Sequence, residues 1–123
     1  MVKIVFCLRR NPAMSTEEFQ DYWRNRHASL VAERAASLGI LRYVQSHRLQ
    51  TAAFDYMADE RGCHVPPYDG VAELWFGSEK VLTRTKAPPE AALEATRDLI
   101  ADEARFIDLQ NSPIFVAVEH EIL

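Results

Sequence analysis

The strongest constraint on the fold of this chain is the order in which strand-like and helix-like segments follow one another. The two-residue alternation typical of strands occurs at 2–10, 40–50, 70–77 and 114–122. Helical spacing of apolar residues occurs at 15–38 and 90–109. The order strand, helix, strand, strand, helix, strand is the split βαβ arrangement of ferredoxin-like domains. We therefore predict an α+β fold, with a four-stranded antiparallel sheet and its helices on one face.

Local signals mark the ends of the helices. Ser15 and Glu18 form a capping box, in which each side chain can bond the other residue's backbone amide. Gly39 follows the first helix and can take the left-handed conformation that commonly ends one. Ser78 is expected to cap a short helix that runs through about Lys86.

Size and composition limit the class of protein. A chain of 123 residues is long enough for one core and too short for two, so we expect a single domain over 1–123. The net charge of −4 and the absence of long basic runs argue against nucleic acid as a partner. No apolar stretch approaches the roughly 20 residues that span a bilayer, which predicts a cytoplasmic protein without membrane contact.

Apolar side chains occur on both faces of the predicted strands. One face carries Phe6, Tyr43 and Leu74, and the other carries Val5, Val44 and Trp75. Helices can cover only one of these faces, and a large uncovered apolar area usually marks an interface. The simplest solution is a two-fold homodimer in which two sheets pack face to face.

His27 is the first candidate for chemistry. On a helical wheel it lies on the buried stripe that also holds Phe19, Trp23 and Leu38. Apolar surroundings lower the pKa of an imidazole, and the neutral form could accept a proton at neutral pH. The alternative is a structural core histidine that is hydrogen-bonded to a carbonyl.

Glu103 is the second candidate, because it interrupts an apolar stripe of the last helix near Leu99. A carboxylate in such a position needs a partner. It could form a structural ion pair with Arg9 or Arg34. It could instead line a pocket together with His27.

Four aromatic side chains are candidates for the walls of a hydrophobic ligand site between the first helix and the sheet. They are Trp23, Tyr43, Trp75 and Phe106. Aromatic residues at these spacings can also form plain core.

Neither a metal nor a cofactor is expected. His47, His64 and His120 lack the spacing of a metal site, and no nucleotide-binding motif is present. Cys7 and Cys63 are expected to be free thiols. A catalytic Cys63–His64 pair in the loop at 51–67 is disfavoured, because sequence neighbours rarely face each other.

Three motifs resemble the EthD domain family. They are MSTEEF at 14–19 with Tyr22, Trp23 and His27 after it, YDGVAELWF at 68–76, and DEARFID at 102–108. The resemblance spans nearly the whole chain. It implies a dimeric α/β barrel with a cleft into which the family's histidine, His27 here, projects. Asp69, inside the second motif, joins the aromatic residues as a candidate for substrate binding.

Two functions remain open. The resemblance implies a cofactor-independent enzyme for a hydrophobic aromatic or polyketide-like molecule, because relatives include dehydratases, cyclases and monooxygenases. In that case His27 and Glu103 would move protons. The alternative is a non-catalytic binding or accessory protein of an oxidation or degradation pathway. A cavity reached by both His27 and an acidic or phenolic group would favour the enzyme, and a filled core would favour the alternative.

Overall fold

Four antiparallel strands form one sheet with the spatial order β2-β3-β1-β4. The computed structural model describes residues 1–83 and 88–123. The strands are β1 (Val2–Leu8), β2 (Arg42–His47), β3 (Gly70–Phe76) and β4 (Ile114–Ala117). This order confirms the ferredoxin-like α+β fold. β2 and β4 are shorter than their alternation predicts.

The first helix is continuous but not uniform. It consists of α1 (Thr16–Asp21), a π-helical segment (Tyr22–His27) and α2 (Ala28–Leu38). Both bonds of the predicted capping box are formed between Ser15 and Glu18. Gly39 ends α2 with φ of 75°, as predicted. The π-helical segment was not predicted.

The remaining helices are α3 (Tyr56–Asp59), within the long loop after β2, and α4 (Glu90–Phe106). The prediction that the last helix reaches 109 is wrong, because Ile107 is extended and pairs with Arg10 in an isolated bridge. In the part of the chain that the structure describes, no helix has the length and apolar character needed to cross a lipid bilayer.

The short helix predicted after β3 is reduced to a 3₁₀ turn at Glu79–Val81. The Ser78 side chain makes no capping hydrogen bond there, so that part of the prediction is wrong. Its predicted end at Lys86 lies outside the described residues.

The core lies between the sheet and the first helix. It consists of Phe6, Leu8, Phe19, Trp23, Ala72, Phe106 and Ile107. Leu8 stands opposite Gly70 in the register of β1 and β3. A Cβ on Gly70 would lie 2.4 Å from the Trp23 ring, so the indole packs directly on the backbone of β3.

In the described part of the chain, no helix covers the other face of the sheet. As the alternation predicted, the side chains on this face include Val5, Val44 and Trp75, because neighbouring residues of a strand point to opposite faces. Trp75 is nevertheless only 6% exposed. Lys3 and Arg42 lie over its indole ring, and its Nε1 donates a hydrogen bond to Glu119.

Candidate functional site

The π-helical segment brings two polar side chains of the first helix to one carboxylate of α4. The Tyr22 hydroxyl donates to Asp102 Oδ1, and His27 Nδ1 lies 2.8 Å from Asp102 Oδ2. Tyr22 and His27 are five residues apart, which in a regular α-helix would separate their directions by about 140°. In a π turn, residues five apart are hydrogen-bonded neighbours, so both can point to α4. We call these three residues the Asp102 cluster.

Burial governs the charges in the Asp102 cluster. His27 is 5% exposed, and its burial lowers the pKa of the imidazole despite the opposing effect of Asp102. Burial would raise the pKa of Asp102, but the hydrogen bonds from Tyr22 and His27, together with the positive charge of Arg105, outweigh it and the pKa is lowered. The contact is therefore a hydrogen bond from a neutral imidazole to a carboxylate rather than an ion pair. His27 Nε2 then carries the lone pair, and no described residue hydrogen-bonds to it.

A separate cavity of about 750 Å³ lies between the sheet, α2 and α4. Its walls are mostly apolar and include Phe6, Leu74 and Phe76 from the sheet and Leu93 and Leu99 from α4. Among the described residues that line it, the charged ones are Glu103 and Lys80. Lys80 is exposed on the turn after β3.

Glu103 has an unusual proton equilibrium for a carboxyl group. Burial, together with the negative charge of Asp102, raises its pKa to about 7. Within the described part of the chain, no hydrogen bond or ion pair to the Glu103 carboxyl is formed. At neutral pH this group can therefore both accept and donate a proton.

The predicted ion pair of Glu103 with Arg9 or Arg34 is wrong. Arg9 instead bonds the Pro66 carbonyl and lies over the Tyr68 ring. Arg34 pairs with Asp98. Long-range packing directs both arginines elsewhere, which the sequence could not reveal.

The predicted pocket shared by His27 and Glu103 is also not formed. Glu103 lines the cavity, whereas His27 does not and packs with its ring 4.9 Å from that of Phe106. The π-helical segment turns His27 toward Asp102 and α4. The cavity and the Asp102 cluster are thus two neighbouring environments.

The four aromatic candidates do not share a pocket. Trp23 and Phe106 are filled core, and Trp23 stacks on His47 with centroids 4.3 Å apart. Tyr43 faces the helices and accepts a hydrogen bond from Gln45. Trp75 lies on the opposite face of the sheet, because strand neighbours alternate in direction.

Asp69 holds backbone and loop together rather than lining the cavity. Its Oδ2 accepts from the Arg10 amide at 2.7 Å, and its Oδ1 pairs with Arg48 at 3.4 Å. Among described residues, no group of three or more His, Cys, Asp or Glu side chains is arranged to hold a metal ion.

Sequence reasoning missed Asp102 and Tyr22. Asp102 lies off the apolar stripe of α4, and Tyr22 lies off the α-helical stripe that contains His27. The sequence signal for Asp102 is its place in the motif at 102–108 that resembles the EthD family.

The fold and the site define an α+β protein of the ferredoxin-like class with an acidic group in an apolar cavity. The model of the EthD domain matches residues 11–110, which is most of the chain. The protein therefore belongs to the EthD domain family.

Two known proteins are similar to this chain. The chain is 27% identical over 109 residues to the dehydratase ustZ of Ustilaginoidea virens, which covers 87% of this chain and 75% of that protein. An ethyl tert-butyl ether d (ethd) family protein of Bacillus halodurans is similar in structure, with a TM-score of 0.61 and 13% identity over 98% of this chain and 99% of that one.

A Bacteroides fragilis protein of unknown function is similar too. It is dimeric and ferredoxin-like, with a TM-score of 0.57 and 9% identity over 96% of this chain and 95% of that one. At these identities the structural similarities establish the fold alone.

Proposed function

We propose that this protein is a cofactor-independent acid/base enzyme of the dehydratase type, acting on a hydrophobic aromatic or polyketide-like molecule, with Glu103 as its catalytic residue. The observation that carries the proposal is the Glu103 carboxyl, which lines an apolar cavity of about 750 Å³ without a partner among described residues. The similarity to a protein named as a dehydratase supports the reaction type.

The cavity suits a substrate with an apolar body and few polar groups. Its volume lies within the range of small-molecule sites, and its lining is largely aliphatic and aromatic. A carboxyl group in such surroundings acts on a bound ligand with little competition from water.

Dehydration needs one group that takes a proton and returns it. The ionised Glu103 carboxylate would remove a proton from the carbon next to a substrate carbonyl. The electron pair of that C–H bond would form a C=C bond, and the C–O bond on the neighbouring carbon would break. The departing hydroxyl would take the proton back from Glu103 and leave as water. A pKa near 7 serves both halves of this sequence.

His27 is assigned no contact with the substrate in this proposal. Its side chain is outside the cavity lining, and its Nδ1 is engaged by Asp102. The cyclase and monooxygenase alternatives also need only a pocket, an acid or base and a bound substrate, so the similarity to a protein named as a dehydratase is what favours dehydration here. The described lining offers Glu103 and the exposed Lys80 as its charged groups.

The reaction can be tested with aryl β-hydroxyketones of increasing length, following the conjugated enone product by its absorbance. We expect the wild-type protein to accelerate water loss and Glu103→Gln to lower turnover by roughly 10²- to 10⁴-fold. Glu94→Gln is the matched control, since it removes an exposed carboxylate from the same helix. Equal turnover in wild type and Glu103→Gln would overturn the proposal. Saturable ligand binding without turnover would favour the non-catalytic binding or accessory protein.

We also propose that the protein is a homodimer joined through the helix-free face of the sheet. Val5, Val44, Trp75 and Phe115 face that side, and Phe115 is half exposed. The dimeric Bacteroides protein of the same fold supports this arrangement. Light scattering should give twice the mass of one chain, and Val44→Glu should reduce it. A wild-type monomer at micromolar concentration would contradict the proposal.

A further inference from the structure

We propose that the Asp102 cluster is a positioning device for the reaction: two donors of the first helix hold the Asp102 carboxylate in place, one residue before Glu103, so that its negative charge acts on the reacting group. This inference rests on the acid/base role proposed for Glu103. Asp102, Tyr22 and His27 are then positioning residues, since none of them lines the cavity.

The first support is the restraint on Asp102. Both of its oxygens are engaged, Oδ1 by the Tyr22 hydroxyl and Oδ2 by His27 Nδ1. These donors sit on the first helix, so the carboxylate is held across the interface between two helices. Its side chain is 14% exposed. A free carboxylate on α4 could turn toward water, where its effect on neighbours would be screened.

The second support is that, in the part of the chain that the structure describes, no positive charge is paired with the Glu103 carboxyl. Among the described residues, the titratable groups that face it are Asp102 on α4, Tyr43 on β2 and Lys80 on the turn after β3. Burial raises the pKa of Tyr43, so this phenol is neutral at physiological pH. Lys80 is exposed, and exposed charges act weakly at a distance. Within the described part of the chain, Asp102 is therefore the charge to which the Glu103 proton responds, after burial itself.

The third support is the π-helical segment. Such segments are rare and occur frequently at functional sites. Here the segment spans Tyr22 to His27, and these two ends are the residues that hold Asp102. A regular helix could present one of them to α4, but not both, so Asp102 would keep a single donor.

The Glu103 titration can be measured directly by NMR of the side-chain carboxyl carbon in protein labelled at glutamate. The signal is assigned by its absence in Glu103→Gln. We expect Asp102→Asn to lower the midpoint by about 1 unit, because it removes the nearby negative charge. Asp98→Asn is the matched control: it makes the same charge change on α4, at an exposed residue paired with Arg34. We expect it to move the midpoint less.

Two further variants keep the charge and release the restraint. Tyr22→Phe and His27→Gln should each lower the Glu103 midpoint by less than Asp102→Asn does. In assays, the acid limb of kcat/KM should move by the same amount as the NMR midpoint in every variant. A midpoint that moves no further in Asp102→Asn than in Asp98→Asn would overturn the inference.

The NMR titration uses no substrate, so it separates the two proposals. A shifted midpoint in Asp102→Asn with full turnover in Glu103→Gln would support the electrostatic role of Asp102 and refute the catalytic role of Glu103. An unshifted midpoint with an inactive Glu103→Gln would refute the role of the Asp102 cluster and leave the catalytic role intact.

Discussion

The cavity and the Asp102 cluster each place a titratable group in apolar surroundings, but the pKa of that group is raised in the cavity and lowered in the cluster. Glu103 borders open space and has no partner among described residues, so burial raises its pKa. His27 sits in filled core with a carboxylate partner, and burial lowers its pKa. Near neutral pH the cavity therefore holds a mobile proton, whereas the cluster holds a fixed negative charge on Asp102.

This difference also separates the two regions in their contributions to stability. The cluster is part of the packed core, and its loss should cost folding energy. The cavity walls enclose space that a ligand can occupy, and they tolerate change more easily. The following predictions test this separation, from the largest expected effect to the smallest.

Truncating the packed region should give the largest loss of stability. Phe106 is 0% exposed and contacts the rings of Phe19, Tyr22 and His27. We expect Phe106→Ala to cost about 3 to 5 kcal/mol of unfolding free energy, measured by urea titration. Leu93→Ala on the cavity wall should cost less than about 1.5 kcal/mol, since that side chain borders space already empty. Similar costs for both would contradict the contrast between filled and open regions.

The Glu103 carboxyl should reduce stability as the pH rises. Its pKa is 4.5 in the ordinary case and about 7 in the folded protein, so the folded state binds more protons between these values. Unfolding free energy should fall across that window by up to about 3 kcal/mol. Glu103→Gln should remove the fall and exceed wild type in stability at pH 8, while matching it more closely at pH 4.5. Denaturation series at both pH values test this, with Glu94→Gln as the control that should leave the slope unchanged.

His27→Ala should cost about 1 to 3 kcal/mol, because Asp102 loses a hydrogen-bond donor and Phe106 loses a packing partner. A general base at the reacting atoms would instead show a turnover loss of roughly 10²- to 10⁴-fold. For His27→Ala we expect turnover to fall by about tenfold or less, and the pH dependence of kcat/KM to be displaced. The histidine's lowered pKa stabilises the fold above its ordinary value of 6.5, and this contribution is lost as the pH falls. The variant should therefore be less sensitive to acid in that range.

Tyr22→Phe should have the smallest effect. It removes one hydroxyl from Asp102 Oδ1 and keeps the ring contact with Phe106. We expect a cost of about 0.5 to 1.5 kcal/mol in thermal or urea unfolding. A larger loss than that of His27→Ala would mean that the tyrosine, and not the histidine, holds the cluster together.

Most of the fold could be predicted from local patterns. Strand alternation assigned the faces of the sheet, and Ser15 with Glu18 marked the start of the first helix. The end of α4 could not be predicted, since Ile107 leaves the helix to pair with Arg10, nearly one hundred residues away in sequence. Trp75 was an avoidable error: the alternation that placed it on the outer face also excluded it from the cavity.

The site was less predictable, because a helical wheel assumes 100° per residue throughout. The π-helical segment, which ends at His27, does not follow that assumption. The helical wheel correctly predicted that His27 is buried. It could not show that the Tyr22 side chain points the same way, or that Asp102 accepts hydrogen bonds from both residues. Glu103 could be found because a carboxylate on an apolar stripe is conspicuous. That Arg9 and Arg34 bind other partners depended on long-range packing.

The missing side chain of Gly70 lets the first helix lie directly on one end of β3, where the Trp23 indole rests on the backbone of the strand. At the other end of the same strand and helix, Phe76 and Leu38 border the cavity. A Cβ at residue 70 would lie 2.4 Å from the indole, so any other residue there must displace the Trp23 ring. The packing at this end of the strand therefore depends on a side chain that is absent.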